Sequence, residues 1–334
     1  MTLKFFKFPS IGQFRDCIKE VKFSNELLKL PTLKFEGTVK LHGTHADIIY
    51  MRKEETLYSQ SRNRVLALTE DNCEFAKFVD ENKDQIKKLF VPLTLKYPDN
   101  SIATFILHGE WCGSNIQKGV ALTQLEKMFV IYNISIIFDN ETDEQNKMYE
   151  YNLIKDMKNE KVHIYNIYMF QTFNIEIDFE NPKLIQNELV ELTNQVEKEC
   201  PIGKYFGVSG IGEGIVWKCH EKNYYSSKYW FKCKGELHSI TKVKKLFPID
   251  TEKLKNITEF IDNTVTEERL QQGLSYLKEF NLEIDKKNIG TFVKWVVSDI
   301  LKEESDTIKK NDFDIKKIPK DISSKCYKWF LQQY

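Results

Sequence analysis

Lys40 opens the stretch "KLHGT" and shares a tight turn with His42, between two apolar runs. A plain β-hairpin needs only Gly43 there, so the lysine and the histidine are surplus to the turn. Four further stretches carry related groups. "SQSRNR" places Arg62 and Arg64 behind a strand, and "LHGEWCG" puts Glu110 at a strand end ahead of the aromatic run "MFVIYNI", which holds Tyr132. "GEGIVWKC" sets Glu213 at the head of a strand and Lys218 toward its other end. In "YWFKCKGE" the alternation puts Lys232 and Lys234 on one face of a strand.

Taken singly, these are ordinary solvated faces and core aromatics. Together they compose a nucleotide site. Lysines and an arginine neutralise a triphosphate, carboxylates hold a ribose hydroxyl and a divalent metal, and an aromatic ring stacks on a base. A lysine is a nucleophile only when deprotonated, which calls for cationic neighbours or burial. The pattern therefore predicts that nearby positive charge holds Lys40 in its neutral form. The glycines of "GVSGIGEG" lack a following GK[ST] and read as a turn rather than a phosphate loop. His163, His220 and His238 show no ligand spacing.

The order of the pieces is lysine, arginine, glutamate, aromatic, glutamate and a K-x-K strand. That order resembles the covalent nucleotidyltransferase superfamily of polynucleotide ligases and capping enzymes. Within it the chain is similar to the RNA ligase 2 family, whose first motif is KxHGT, matched here by Lys40, His42, Gly43 and Thr44. "GEWCGSNIQKGV", "EGIVWK" and "KCK" resemble the family's later motifs, and the likeness is strong over residues 35 to 240.

The resemblance implies an ATP-dependent RNA ligase. Lys40 would attack the α-phosphate of ATP and hold AMP. The AMP would pass to an RNA 5′-phosphate, and a 3′-hydroxyl would then displace it, most naturally at a nick in duplex RNA. By the same resemblance His42 lies near the phosphates, Arg62 and Glu110 near the ribose, and Tyr132 on adenine. Glu213 places Mg2+ or Mn2+ through water, Lys232 and Lys234 contact the α-phosphate, and Lys218 is a further nucleotide contact. The chain departs from the family at Val39, where glutamate is frequent, so an adenine contact there falls to the backbone. It departs again at His45 in place of asparagine and at Asn133 in place of aspartate. A capping-type guanylyltransferase, with a preference for GTP and an added barrel, is the alternative reading, as is a non-catalytic RNA-binding module.

The elements that must position these groups read as an α+β domain over residues 1–240. The resemblance makes it a nucleotidyltransferase domain of antiparallel sheets with flanking helices. β-branched and aromatic runs such as "FEGTVKLHGTHADIIYM", "SIATFILHGEW", "HIYNIYMF" and "KYWFKCK" predict its strands. Two helices are predicted, one over "CEFAKFVDENKDQIKKLF" and one over "LIQNELVELTNQVEKE". From residue 241 to 334 the period becomes helical, with Thr251 and Thr266 as N-caps, which predicts a small all-α RNA-binding domain. Lys242, Lys244 and Lys245 make the stretch between the two regimes basic.

Lys+Arg and Asp+Glu both number 49, so any basic surface must be local. Seven cysteines without a CxxC predict neither a disulfide framework nor a zinc site. No signal-length or membrane-length apolar run is present, so the expectation is a soluble, cytoplasmic monomer.

Overall fold

The structure is a computed structural model, and it describes residues 3–25, 29–97, 102–138, 148–149, 151–238, 257–311 and 313–333. Its contacts divide into two compact units, Met1–Leu237 and His238–Tyr334.

The strands of the first unit are β1 (Gly12–Gln13), β2 (Thr32–Val39), β3 (Thr44–Met51), β4 (Thr56–Ser61), β5 (Ile102–Cys112) and β6 (Met128–Phe138). They continue with β7 (Met148–Tyr149), β8 (Ile164–Asn166), β9 (Thr172–Asp178), β10 (Gly214–Cys219) and β11 (Phe231–Lys234). One sheet runs β1-β11-β10-β2-β9, and a second runs β4-β3-β5-β6-β7 with β8 beside β6. Pairing is antiparallel except at β1–β11 and β6–β8. The α+β character is what the strand and helix patterns predict, and the largely antiparallel sheets are what the resemblance implies.

Each sheet buries one apolar face beneath helices. On the first sheet Leu33, Phe35, Ile175, Trp217 and Phe231 are at most 5% exposed. They lie against α1 (Phe14–Ser24) and α4 (Gln186–Lys198), with Phe14 4.7 Å from the Phe231 ring. On the second sheet Trp111 and Phe129 pack on Phe78 and Phe75 of α2 (Phe75–Glu81), and Tyr50 stacks on Phe90 of α3 (Lys83–Lys96). A short α5 (Pro201–Tyr205) follows α4.

The strands flanking "KLHGT" form as expected, β2 in the first sheet and β3 in the second. The backbone N–H of Lys40 donates to Gly214 O at 2.8 Å, holding the turn to β10, while Thr44 is already in register with Trp111 of β5. The single helix predicted over residues 73–90 breaks at Asn82. The Asn82 side chain donates to Phe78 O at 2.8 Å, a local bond that competes with the helical ladder. "HIYNIYMF" is strand only over Ile164–Asn166; the Asn166 side chain then accepts from Tyr168 N and turns the chain. Sequence reading also missed α1, which is started by a capping box between Gln13 and Asp16, and β9, whose burial alternates residue by residue.

The second unit is helical: α6 (Ile257–Thr264), α7 (Glu267–Glu279), α8 (Ile289–Glu303), α9 (Ser305–Lys310) and α10 (Ile318–Phe330). Phe260, Leu277, Phe292, Val296, Ile300 and Phe330 form its core. Thr266 caps α7 by accepting from Arg269 N at 3.4 Å. The buried Arg269 side chain donates to Asp299 and to Thr264 O. Thr251 and the lysines 242, 244 and 245 lie outside the described residues. No described helix is long and apolar enough to cross a membrane, and all seven cysteines are free thiols.

Candidate active site

Where β2 leaves the first sheet for the second, the polar faces of both sheets meet. Antiparallel register puts Lys234 beside Gly214, Lys232 beside Val216 and Lys218 beside Glu36 on one face. On the second sheet it aligns His45 with Glu110, and Asp47 with both His108 and Gln60. The turn between the sheets is tight. A Cβ on Gly43 would lie 2.3 Å from Trp111 O, so only glycine fits, and Gly43 N–H donates to Glu110 Oε1 at 3.1 Å.

Glu213 is the hub. Its Oε2 lies 2.9 Å from Lys40 Nζ and 3.1 Å from His42 Nδ1, and its Oε1 lies 2.9 Å from Lys234 Nζ. Glu213 is only 3% exposed. Burial alone would raise its pKa, but Lys234, Lys40 and His42 hold it well below the usual carboxylate range. For Lys234, burial and the neighbouring Lys40 and Lys232 lower the pKa against the pull of Glu213. Lys40 goes the other way. Burial lowers its pKa, yet the Glu213 and Glu110 carboxylates outweigh it and raise the ammonium above its ordinary value. The expectation of a neutral Lys40 is therefore reversed, because the charged groups that dominate its surroundings are the Glu213 and Glu110 carboxylates.

Burial raises the pKa of Glu110 against the opposing charges of Lys40 and His45. Tyr132 faces the same space because β6 bulges there: His108 pairs with Asn133 and Gly109 with Ile131, leaving Tyr132 as the extra residue. Arg62 donates to Ser10 Oγ at 3.0 Å and to Pro9 O at 3.5 Å, and its charge also reaches Tyr132. Lys232 sits on the same strand face as Lys234. Val39 is buried opposite Ile215, leaving only its backbone for any ligand. Two contributors escaped the sequence reading. Gln117 donates to Gly43 O at 3.2 Å, propping the turn from the "IQK" segment. Phe8 packs on Tyr132 and Trp230.

Lys218 donates to Tyr132 O at 2.8 Å and lies 4.9 Å from the Trp230 ring centroid. Burial drags its pKa from 10.5 down to about 7. The folded state thus holds fewer protons than the unfolded state between pH 7 and about 10, and stability must rise with pH there. We expect wild type to gain on Lys218→Met by about 1 kcal/mol per pH unit above 7, with no such trend below pH 6. Urea unfolding of both proteins from pH 6 to 9 measures this, and a pH-independent difference would mean that Lys218 stays charged.

In the helical unit, α8 and α10 border a groove of about 1080 Å³. Ile289, Val293, Val297, Leu301 and Pro319 give it an aliphatic floor, and Lys286, Lys294, Lys320 and Lys328 stand on its rims with no carboxylate in the wall. All four lysines are exposed, and none makes an ion pair among the described residues. The helices as a whole are nearly balanced, with 13 Lys+Arg and 14 Asp+Glu over residues 257–334, so a wall with four lysines and no carboxylate is a local excess of positive charge.

A family model described as RNA ligase matches residues 33–234. A search of curated proteins found no match. Solved structures of Naegleria gruberi RNA ligase are similar in fold. A lysine-to-alanine variant with ATP and Mn has 16% identity over 71% of this chain and 58% of that one, with a TM-score of 0.45. A lysine-to-methionine variant with AMP and Mn has the same identity and coverage at a TM-score of 0.44. The protein with PPi has 17% identity, the same coverage and a TM-score of 0.43. The chain thus spans 58% of the length of these relatives.

Proposed function

The chain belongs to the RNA ligase family, and on that premise we propose that it joins RNA ends at the expense of ATP, with Lys40 as the nucleophile. The observation that carries this reading is the convergence of Lys40, His42 and Lys234 on the single buried carboxylate of Glu213. Lys40 loses one ammonium proton to solvent, the neutral Nζ attacks the α-phosphorus, a P–N bond forms, the P–O bond to pyrophosphate breaks, and a second proton leaves the nitrogen to give the phosphoramidate. Lys234 and Lys232 neutralise the charge at the α-phosphate, His42 sits by the phosphates, Arg62 and Glu110 hold the ribose, and Tyr132 and Lys218 meet the base beside the Val39 backbone. The AMP then passes to an RNA 5′-phosphate, and an RNA 3′-hydroxyl displaces it to seal the strand.

Glu213 is a hard oxygen donor of the kind that suits Mg2+ or Mn2+, held directly or through water, and an ion there would compete with the Lys40 and Lys234 ammoniums for its oxygens. Such an ion would supply charge neutralisation at the phosphates. Glu213 engaged in that way would no longer keep Lys40 protonated, which reconciles the raised Lys40 pKa with a nucleophile. We assign RNA holding to the helical unit through its lysine-rimmed groove. The free cysteines fit an intracellular, reducing compartment.

Nucleotide labelling separates this reading from its rivals: covalent AMP for a ligase, covalent GMP for a capping-type enzyme, and neither for a binding module. Sealing of a nick then tests the substrate. A-form duplexes are recognised by shape and 2′-hydroxyls, so ribose at the two terminal nucleotides of the 3′-OH strand should seal faster than deoxyribose. Equal rates would leave a general polynucleotide ligase.

A further inference from the structure

Behind Tyr132 lies a chain of hydrogen bonds with a fixed direction. Asp47 is wholly buried, and its carboxylate faces His45 Nε2 at 3.0 Å, His108 Nδ1 at 2.7 Å and Gln60 Nε2 at 2.6 Å. Burial would raise the Asp47 pKa, but the two imidazoles outweigh it and hold the group ionised. An ionised carboxylate only accepts, so His45 Nε2 and His108 Nδ1 must carry their protons. The second ring nitrogens then face two hydroxyls. Tyr132 O–H lies 2.6 Å from His45 Nδ1, and Ser135 O–H lies 2.6 Å from His108 Nε2. Gln60 is oriented in turn by the Phe6 backbone, which donates to its Oε1 at 3.0 Å and accepts from its Nε2 at 2.6 Å. The Phe8 ring covers the assembly, 4.5 Å from His108 and 5.4 Å from His45.

We propose that Asp47, acting through His45, is a positioning residue for Tyr132. Through the Tyr132–His45 hydrogen bond it fixes the ring so that its face is presented to the nucleotide base. The inference rests on the reading of Tyr132 as the base-stacking residue. The logic follows from register: β3 places Asp47 two residues beyond His45 and opposite both Gln60 and His108, while the bulge in β6 brings Tyr132 within reach.

The Tyr132–His45–Asp47 order resembles an activated nucleophile, yet the direction of effect excludes that role. Burial, with Glu110 and Asp47, raises the Tyr132 pKa well above its ordinary value, so the phenol stays protonated. His45, Asp47 and His108 also offer ligand atoms within 4.8 Å of one another, as a metal centre would. The hydrogen bonds already satisfy the carboxylate and both rings without an ion, and the metal reading is an outcome of the test below.

The test is a mutant cycle on the full chain, comparing wild type, Asp47→Asn, Tyr132→Phe and the double variant. His45→Asn serves as a second entry to the chain, since it is too short to bridge Asp47 and Tyr132. Single-turnover AMP labelling against ATP concentration gives the half-saturating ATP and the limiting rate separately. Equilibrium ATP binding provides the same cycle independently of chemistry. Asp47→Asn and His45→Asn should each raise half-saturation about tenfold while the limiting rate stays within about twofold. In the Tyr132→Phe background, Asp47→Asn should add less than about twofold, because the hydroxyl it acts on is gone.

Additive effects would overturn the proposal, as would a loss confined to the limiting rate or to the folded fraction. Stoichiometric zinc in the purified protein that disappears in Asp47→Asn would overturn it in favour of a metal centre. Failure of wild type to label would instead remove the ligase reading, with the binding cycle still deciding the role of Asp47.

Discussion

Lys40→Ala is expected to abolish covalent AMP labelling, a loss of at least about a thousandfold, because the variant lacks the amine assigned to form the bond and the site's other lysines are assigned to binding. The wild-type adduct should be a phosphoramidate, labile in acid and stable in alkali. Lys40→Arg should fail as completely, since a guanidinium does not give up its proton in this range. The pH dependence sharpens the test. Glu213 and Glu110 raise the Lys40 pKa, so at neutral pH the free amine is a minor species and its population grows about tenfold per pH unit. Labelling without added divalent cation should therefore climb with pH at a slope near one. Glu213→Gln removes the strongest raising partner, so its profile should shift to lower pH, while loss of the carboxylate that holds Lys234 should lower the maximal rate. Persistent labelling of Lys40→Ala would place the nucleophile elsewhere. An unshifted profile in Glu213→Gln would mean that the carboxylate does not hold the ammonium.

The chemistry of this site is legible in the sequence where it depends on residue type and on strand alternation. Lys232 and Lys234 share a face because a strand has period two, and Glu213 heads β10 because Gly214 begins it. What alternation does not carry is which sheet a strand joins. "KLHGT" looks like a hairpin turn locally, and only pairing with β10 and β5, far along the chain, makes it a crossover that leaves Lys40 between the sheets. The sign of the Lys40 shift was lost for the same reason. Glu213 lies 173 positions away in sequence and 2.9 Å away in space. Tyr132 was found by its type, but its orientation depends on a one-residue bulge that no local pattern announces. Asp47 was passed over because a lone aspartate in a strand reads as a solvated face; its burial shows only once Gln60 and His108 are in register with it.

The second large effect is expected in the helical unit. Replacing Lys286, Lys294, Lys320 and Lys328 together by glutamine should weaken binding of nicked duplex RNA by roughly two to three orders of magnitude near 0.1 M salt. Each lysine that meets a phosphate releases condensed counterions, so the slope of log K against log salt should flatten by up to about three to four units. The four are strong candidates because they are exposed, lack carboxylate partners and flank one groove in a set of helices that is charge-balanced only when they are counted. The aliphatic floor suits the faces of riboses, and the lysines meet phosphates, which position a duplex without reading its sequence. Gly290 gives an uncharged control. A Cβ there meets nothing within 4 Å, and a leucine is a better helix former, so Gly290→Leu should fold at least as well while filling the groove. It should lower RNA affinity without changing the salt slope, separating shape from charge. Covalent AMP labelling, which belongs to the first unit in this reading, should survive in both variants. If the lysine variant binds RNA with unchanged affinity and slope, the groove is not where the duplex is held, and the RNA-binding role assigned to it must move to other basic residues, the lysines 242, 244 and 245 among them.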